Sequence, residues 1–125
     1  MRVLLVGDDG RGGLAAALGE RGLSVEVVSA GAGGEEGGPA ALAGRLRAFE
    51  RLLADGAVRA VLVGSASDDA LAAILVASKL SVPTARLNPP NPETAGREVN
   101  RTVIEQLADS VLARDPEAVA SWARA

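Results

Sequence analysis

Residues 59 to 101 read RAVLVGSASDDALAAILVASKLSVPTARLNPPNPETAGREVNR, and they carry the repeating unit of the fold. Ala60 to Val63 is a short apolar run bounded by Gly64, the pattern of a strand buried on both faces of a parallel sheet. A helix follows at once. Ser67 can serve as its N-cap, and Asp68 and Asp69 fall in its first turn, where orphan N–H groups and the positive dipole end favour carboxylates. Ala70 to Ala77 are apolar on every side, so the spacing predicts a helix buried along most of its length. Pro83 bars its continuation. Thr84 to Leu87 read as a second buried strand. The segment Asn88, Pro89, Pro90, Asn91, Pro92 can be neither helix nor inner strand, which makes it a loop at that strand's C-terminal end.

Outward from this block the same alternation repeats. Arg2 to Val6 reads as strand one and Gly7 to Gly13 as a glycine-rich turn into a helix. That helix carries Leu14, Ala17 and Leu18 on one face, with Gly22 as its C-cap glycine. Ser24 to Val28 is strand two, and Ala30 to Gly38 is a glycine-rich loop with two glutamates. Leu42, Leu46, Phe49 and Leu53 then recur at i, i+4, i+7 and i+11, the apolar stripe of a helix that Gly56 ends. A long helix is predicted from about Thr94 to Asp109, with Val99, Val103 and Leu107 as its seam. Ser110 to Ala113 is a fifth strand. Asp115 and Pro116 suit N-cap and N1 of a terminal helix that brings Trp122 onto the body.

Strands separated by helices imply right-handed crossovers, hence an α/β, Rossmann-like three-layer α/β/α sandwich around a five-stranded parallel sheet in the order 2-1-3-4-5. In that order the switch point lies between the Gly7 to Gly13 turn and the Gly64 to Asp69 turn. A ligand crevice is expected there, bordered by the Asn88 to Pro92 loop.

Composition bounds the function classes. A length of 125 residues with 48% apolar content suits one globular domain spanning 1–125. The net charge of −3 offers no basic footprint for nucleic acid, and with Lys79 as the sole lysine there is no phosphate-loop lysine. The absence of Cys and His removes thiol chemistry, disulfides and the usual zinc sites. Val3 to Val6 is too short for a signal peptide or a membrane span, so a cytoplasmic location without membrane association is expected.

Several constellations compete for the crevice. Gly10-Arg11-Gly12-Gly13-Leu14-Ala15 fits the G-x-G-x-x-A pattern of dinucleotide binding, yet Asp8 and Asp9 before it would repel a pyrophosphate, and strand two ends in Ser29 and Ala30 rather than a ribose-binding acid. A plain glycine turn is the plainer reading. Two acids after strand one are also found in response-regulator receivers. Here, however, the phosphoacceptor position falls near Gly64 and no lysine follows strand four or five. Asp8, Asp9, Asp68 and Asp69 can be read as oxygen ligands for Mg²⁺ or, more plainly, as carboxylates at helix starts. The second reading is taken, with no metal and no cofactor.

The block VLVGSASDDALAA, then SVPTARLNPPN, then REVNRTVIEQLAD resembles, in that order, the N-terminal domain of non-hydrolysing UDP-N-acetylglucosamine 2-epimerases, whose fold is Rossmann-like and of glycosyltransferase-B type. Those enzymes show a strand reading roughly VLVHGD, then IPV.HVEAG.R, then a helix beginning PEE.NR with LAD beyond it. The match runs without a gap from Val61 to Pro92, with a shorter loop before Glu98, and extends more weakly to the first strand. The resemblance implies a UDP-sugar ligand. It also implies losses: the family's acid in the HGD turn aligns with Ala66, its His and Glu of HVEAG with Arg86 and Asn88, and the Arg of its GTRPE loop with Asp9. Epimerisation through elimination and re-addition of UDP needs proton-transferring carboxylates, and of these Glu98 is kept, with Asn100 and Arg101 beside it.

These residues fix the expectations. Glu98 is the candidate catalytic remnant, and Gly7, Asp9, Arg11, Ser65, Ser67, Arg86, Asn88, Asn100 and Arg101 are the candidate ligand-binding residues. For Arg86, an ion pair with Asp68 or Glu98 is expected ahead of a ligand contact. The family's second nucleotide-holding domain has no counterpart in this sequence. The reading is therefore a stand-alone, catalytically inactive epimerase-like domain that binds or scaffolds; the alternatives are one half of a two-chain UDP-sugar enzyme and a pseudo-receiver. Leu87, Pro89, Pro90 and Pro92 are read as an uncovered apolar rim that a second copy or a partner protein covers.

Overall fold

The computed structural model describes residues 1–8, 13–28, 38–90 and 98–125. Among them the elements run β1 (Arg2–Val6), α1 (Leu14–Glu20), β2 (Ser24–Val28), α2 (Pro39–Leu53), β3 (Ala60–Val63), α3 (Asp68–Lys79), β4 (Thr84–Asn88), α4 (Glu98–Leu107), β5 (Ser110–Ala113) and α5 (Pro116–Arg124). All strand pairs are parallel and the sheet order is β2-β1-β3-β4-β5. The two central apolar runs are the most deeply sealed: Val3 to Val6 and Val61 to Val63 are at most 1% exposed, as strands covered on both faces must be.

Alternation along the strands sorts the core into two layers. Leu4, Val6, Val61 and Val63 pack with Phe49, Leu53, the apolar side of α3 and Ile104, which places α2, α3 and α4 on one face. Val3, Leu5, Leu62, Ala85 and Leu87 pack with Leu14, Leu18, Val119 and Ala123, which places α1 and α5 on the other, with Trp122 half-buried against them. The helix predicted to be buried on most sides is so: Ala70, Ala72, Ala73, Ile74, Val76 and Ala77 are all buried. Its N-cap is Ser67, whose Oγ accepts from Ala70 N at 3.2 Å. Asp115 likewise caps α5.

Three readings need correction. The strand read as Thr84 to Leu87 includes Asn88, paired with Ala113. The seam of α4 is rotated by one residue, for its buried side chains are Asn100 and Ile104 while Val99 is 65% exposed. Asn100 turns inward because its amide donates to Ala66 O at 3.1 Å and to Asp68 Oδ1 at 2.9 Å; two hydrogen bonds offset the burial of a carboxamide. Leu87 is 2% exposed and belongs to the core against α5, so it is no part of an uncovered rim. The predicted helix start at Thr94 lies outside the described residues. No helix among the described residues is long and apolar enough to cross a membrane.

Candidate functional site

The C-terminal strand ends hold two unlike places. At the switch point, β1 and β3 come so close that a Cβ on Gly7 would lie 2.4 Å from Ser65 Oγ, and Gly7 has φ +79°, a backbone state that favours glycine. Beside it Asp8, 1% exposed, pairs with Arg114 at 2.9 Å. The Arg114 guanidinium also donates to Gly64 O at 3.0 Å and to Pro89 O at 2.8 Å. One side chain just beyond β5 thus ties together the ends of β1, β3 and β4.

The described cleft lies one strand further along than the switch-point argument places it. It encloses about 350 Å³ between the ends of β3 and β4 and the helix α4, lined by Val63, Ser65, Ala66, Arg86, Leu87, Asn88, Pro90, Arg101, Ile104 and Glu105. Side chains of β4 alternate, and since Ala85 and Leu87 face α5, Arg86 faces α4. Its Nε is buried and has no hydrogen-bond partner among the described residues. The expected ion pair is absent: Asp68 accepts from Asn100, and Glu98 pairs with Arg101 at 3.3 Å. Asn100 and Arg101, both on α4, are the partners those two carboxylates have instead. Glu105 is the carboxylate among the lining residues.

Of the residues singled out from the sequence, Ser65, Arg86, Asn88 and Arg101 come together in this cleft. Asn100 lies behind it as a tie between α4 and the start of α3. Ser67 is occupied as the helix cap, and its Oγ also accepts from Ser65 Oγ at 3.2 Å. Gly7 is a packing glycine at the switch point. Glu98 is an exposed residue at the helix start, 81% accessible in its side chain and paired with Arg101. Asp9, Arg11 and Pro92 lie outside the described residues. Of the acids weighed as a cation site, the three described ones each have another partner: Asp8 goes to Arg114, Asp68 to Asn100 and Asp69 to Arg45. No group of three or more His, Cys, Asp or Glu is placed to hold a metal among the described residues.

Sequence reasoning missed Arg114. Its signal was a charged residue at the C-terminal end of the last strand, the edge at which α/β folds place their sites. Glu105 was not singled out either.

No known protein family has a profile that matches the chain, and no curated protein matches it by sequence. Solved structures do match. The UDP-GlcNAc 2-epimerase of Methanocaldococcus jannaschii superposes with a TM-score of 0.72 at 16% identity, over 90% of this chain and 39% of that one. S. aureus MnaA, solved with UDP, gives 0.68 at 19% identity, over 90% and 37%. The UDP-GlcNAc 2-epimerase of Neisseria meningitidis, solved bound to UDP-GlcNAc, gives 0.62 at 16% identity, over 90% and 40%. The chain thus spans about two fifths of the length of these proteins, and over nine tenths of its own length it has the fold of that portion of the UDP-GlcNAc 2-epimerases.

Proposed function

We propose that this chain is a binding domain for a UDP-sugar or a closely related ligand, taken up in the cleft between β3, β4 and α4, and that it does not epimerise the ligand by itself. The carrying observation is that four side chains singled out for ligand contact, Ser65, Arg86, Asn88 and Arg101, line one strand-end cleft. Structures of the same fold that were solved with UDP and with UDP-GlcNAc support the ligand class.

The proposed absence of turnover rests on two positions of the lining, and Glu105, the carboxylate that does line the cleft, stands at neither of them. Ala66 and Asn88 stand at the positions where the resembled enzymes carry acids, and neither a methyl group nor a carboxamide can move a proton. Glu98, the acid that the alignment retains, is exposed and engaged with Arg101. On this reading a second copy or a partner protein covers the cleft side, where Pro89 and Pro90 are exposed.

The test is a titration of the whole chain with UDP and UDP-N-acetylglucosamine, followed by backbone amide shifts, alongside an assay for the 2-epimer. Saturable shifts at Ser65, Arg86, Asn88 and Arg101 without product above a blank are expected. Product that survives further purification, at a rate proportional to this protein, would sink the inactive reading.

A further inference from the structure

On the sheet face that carries α2, α3 and α4, the last full row across the strands reads Val28, Val6, Val63, Arg86, Val111. Four valines flank one guanidinium. A valine or leucine at that position would bury at no electrostatic cost, whereas a charge there needs a compensating partner. The described protein supplies none: the two carboxylates nearest in the fold's logic, Asp68 and Glu98, are taken by Asn100 and Arg101, and Arg86 Nε is sealed off unpaired. Arg86 is half-buried, so the rest of its guanidinium opens to the cleft that it lines, where water or an anion can compensate it.

The rest of that lining agrees. Two arginines, Arg86 and Arg101, face one glutamate, Glu105, while Ser65 and Asn88 add neutral donors and Val63, Leu87 and Ile104 add apolar wall. A volume of about 350 Å³ sits at the lower end of the range for small-molecule sites, room for the sugar end of a ligand whose nucleotide lies outside the cleft. A guanidinium presents a planar fork that matches carboxylate and phosphate oxygens, and it gains little from a neutral hydroxyl or acetamide by comparison.

Resting on the reading of this cleft as the ligand site, we propose that it selects a sugar-sized unit bearing an oxyanion, a carboxylate or a phosphate, over a neutral N-acetylhexosamine, and that Arg86 is the residue that decides this specificity. Arg101, already shared with Glu98, contributes charge at the rim.

The probes are D-glucose, D-glucuronate, D-glucose 6-phosphate and inorganic phosphate, titrated into the whole chain and into Arg86→Gln while the amides of Ser65, Asn88 and Arg101 are followed. Glucuronate or glucose 6-phosphate should half-saturate at a concentration at least tenfold below that of glucose, and Arg86→Gln should abolish the advantage. The more effective of the two identifies carboxylate or phosphate as the preferred group. Equal half-saturation by glucose and both anions overturns the proposal, as does an advantage that survives in Arg86→Gln. Inorganic phosphate binding as tightly as both sugar anions overturns the sugar-sized unit. The wild-type comparison decides selectivity even where the variant does not fold. A second pair separates this proposal from the broader reading. UDP-N-acetylglucosamine binding in the cleft as tightly as UDP-glucuronate overturns the anion preference and leaves a UDP-sugar site. Glucuronate shifting the cleft in an Arg86-dependent way, with neither UDP-sugar binding, upholds the anion site and removes the nucleotide.

Discussion

Arg114, just beyond β5, and Arg86, on the adjacent β4, stand at the same end of the sheet, and the fold treats them in opposite ways. Arg114 is fully engaged, with Asp8 at 2.9 Å, Gly64 O at 3.0 Å and Pro89 O at 2.8 Å. Arg86 has a buried Nε without a partner and pairs with no carboxylate among the described residues. A guanidinium whose donors are consumed by backbone carbonyls and a buried acid is part of the framework. One that pairs with no carboxylate among the described residues, and that lines a cleft, is open to a group from outside them. The switch point, where α/β folds commonly bind ligands, is here braced by the first kind, with Asp8 Oδ2 the one buried polar side-chain atom there without a partner among the described residues, and the described cleft is lined by the second.

The largest effect should come from breaking the brace. Arg114→Leu strands Asp8, whose side chain is 2% exposed, and frees two carbonyls. Loss of one partner of a buried pair costs about 3 kcal/mol or more, to be read as a lower urea midpoint at unchanged slope. A loss below about 1 kcal/mol would erase the contrast between the two arginines. Next is Asn100→Ala, which removes the amide shared by Ala66 O and Asp68 Oδ1. Two hydrogen bonds at a buried site, one to a carboxylate, make about 2 kcal/mol the expected loss. An unchanged midpoint would mean that α4 is held by its apolar contacts, Ile104 and Leu107, without the amide. The smallest effect is expected for Arg86→Leu, within about 1 kcal/mol of the parent in either direction, because no internal partner is abandoned. A loss above about 2 kcal/mol would move Arg86 into the same class as Arg114.

Legibility in the sequence followed the range of the interactions. Strands such as Val3 to Val6 and Val61 to Val63 were readable because an apolar run between turn residues is a local signal, and the order 2-1-3-4-5 followed from right-handed crossovers. Caps at Ser67 and Asp115 were readable for the same reason, each reaching a backbone N–H three residues on. Arg86 stood out as a charge inside an apolar strand, so its place in the cleft was within reach of sequence reasoning. Its missing partner was not, because that depends on Asn100 and Arg101 reaching Asp68 and Glu98. The seam of α4 was misread by one position because Asn100 buys its burial from partners 34 and 32 residues away. Arg114 and Asp8 lie 106 residues apart, and nothing in the local sequence of either announces the other.

The central claim is that the ligand enters between β3, β4 and α4 and not at the braced switch point. Backbone amide shifts of the whole chain under a UDP-N-acetylglucosamine and UDP-glucuronate titration test it most directly. The account predicts saturable shifts at Ser65, Arg86, Asn88 and Arg101, with Leu5, Val6 and Val28 unmoved. Shifts concentrated at Val6, Gly7 and Asp8, with the α4 residues silent, would contradict it.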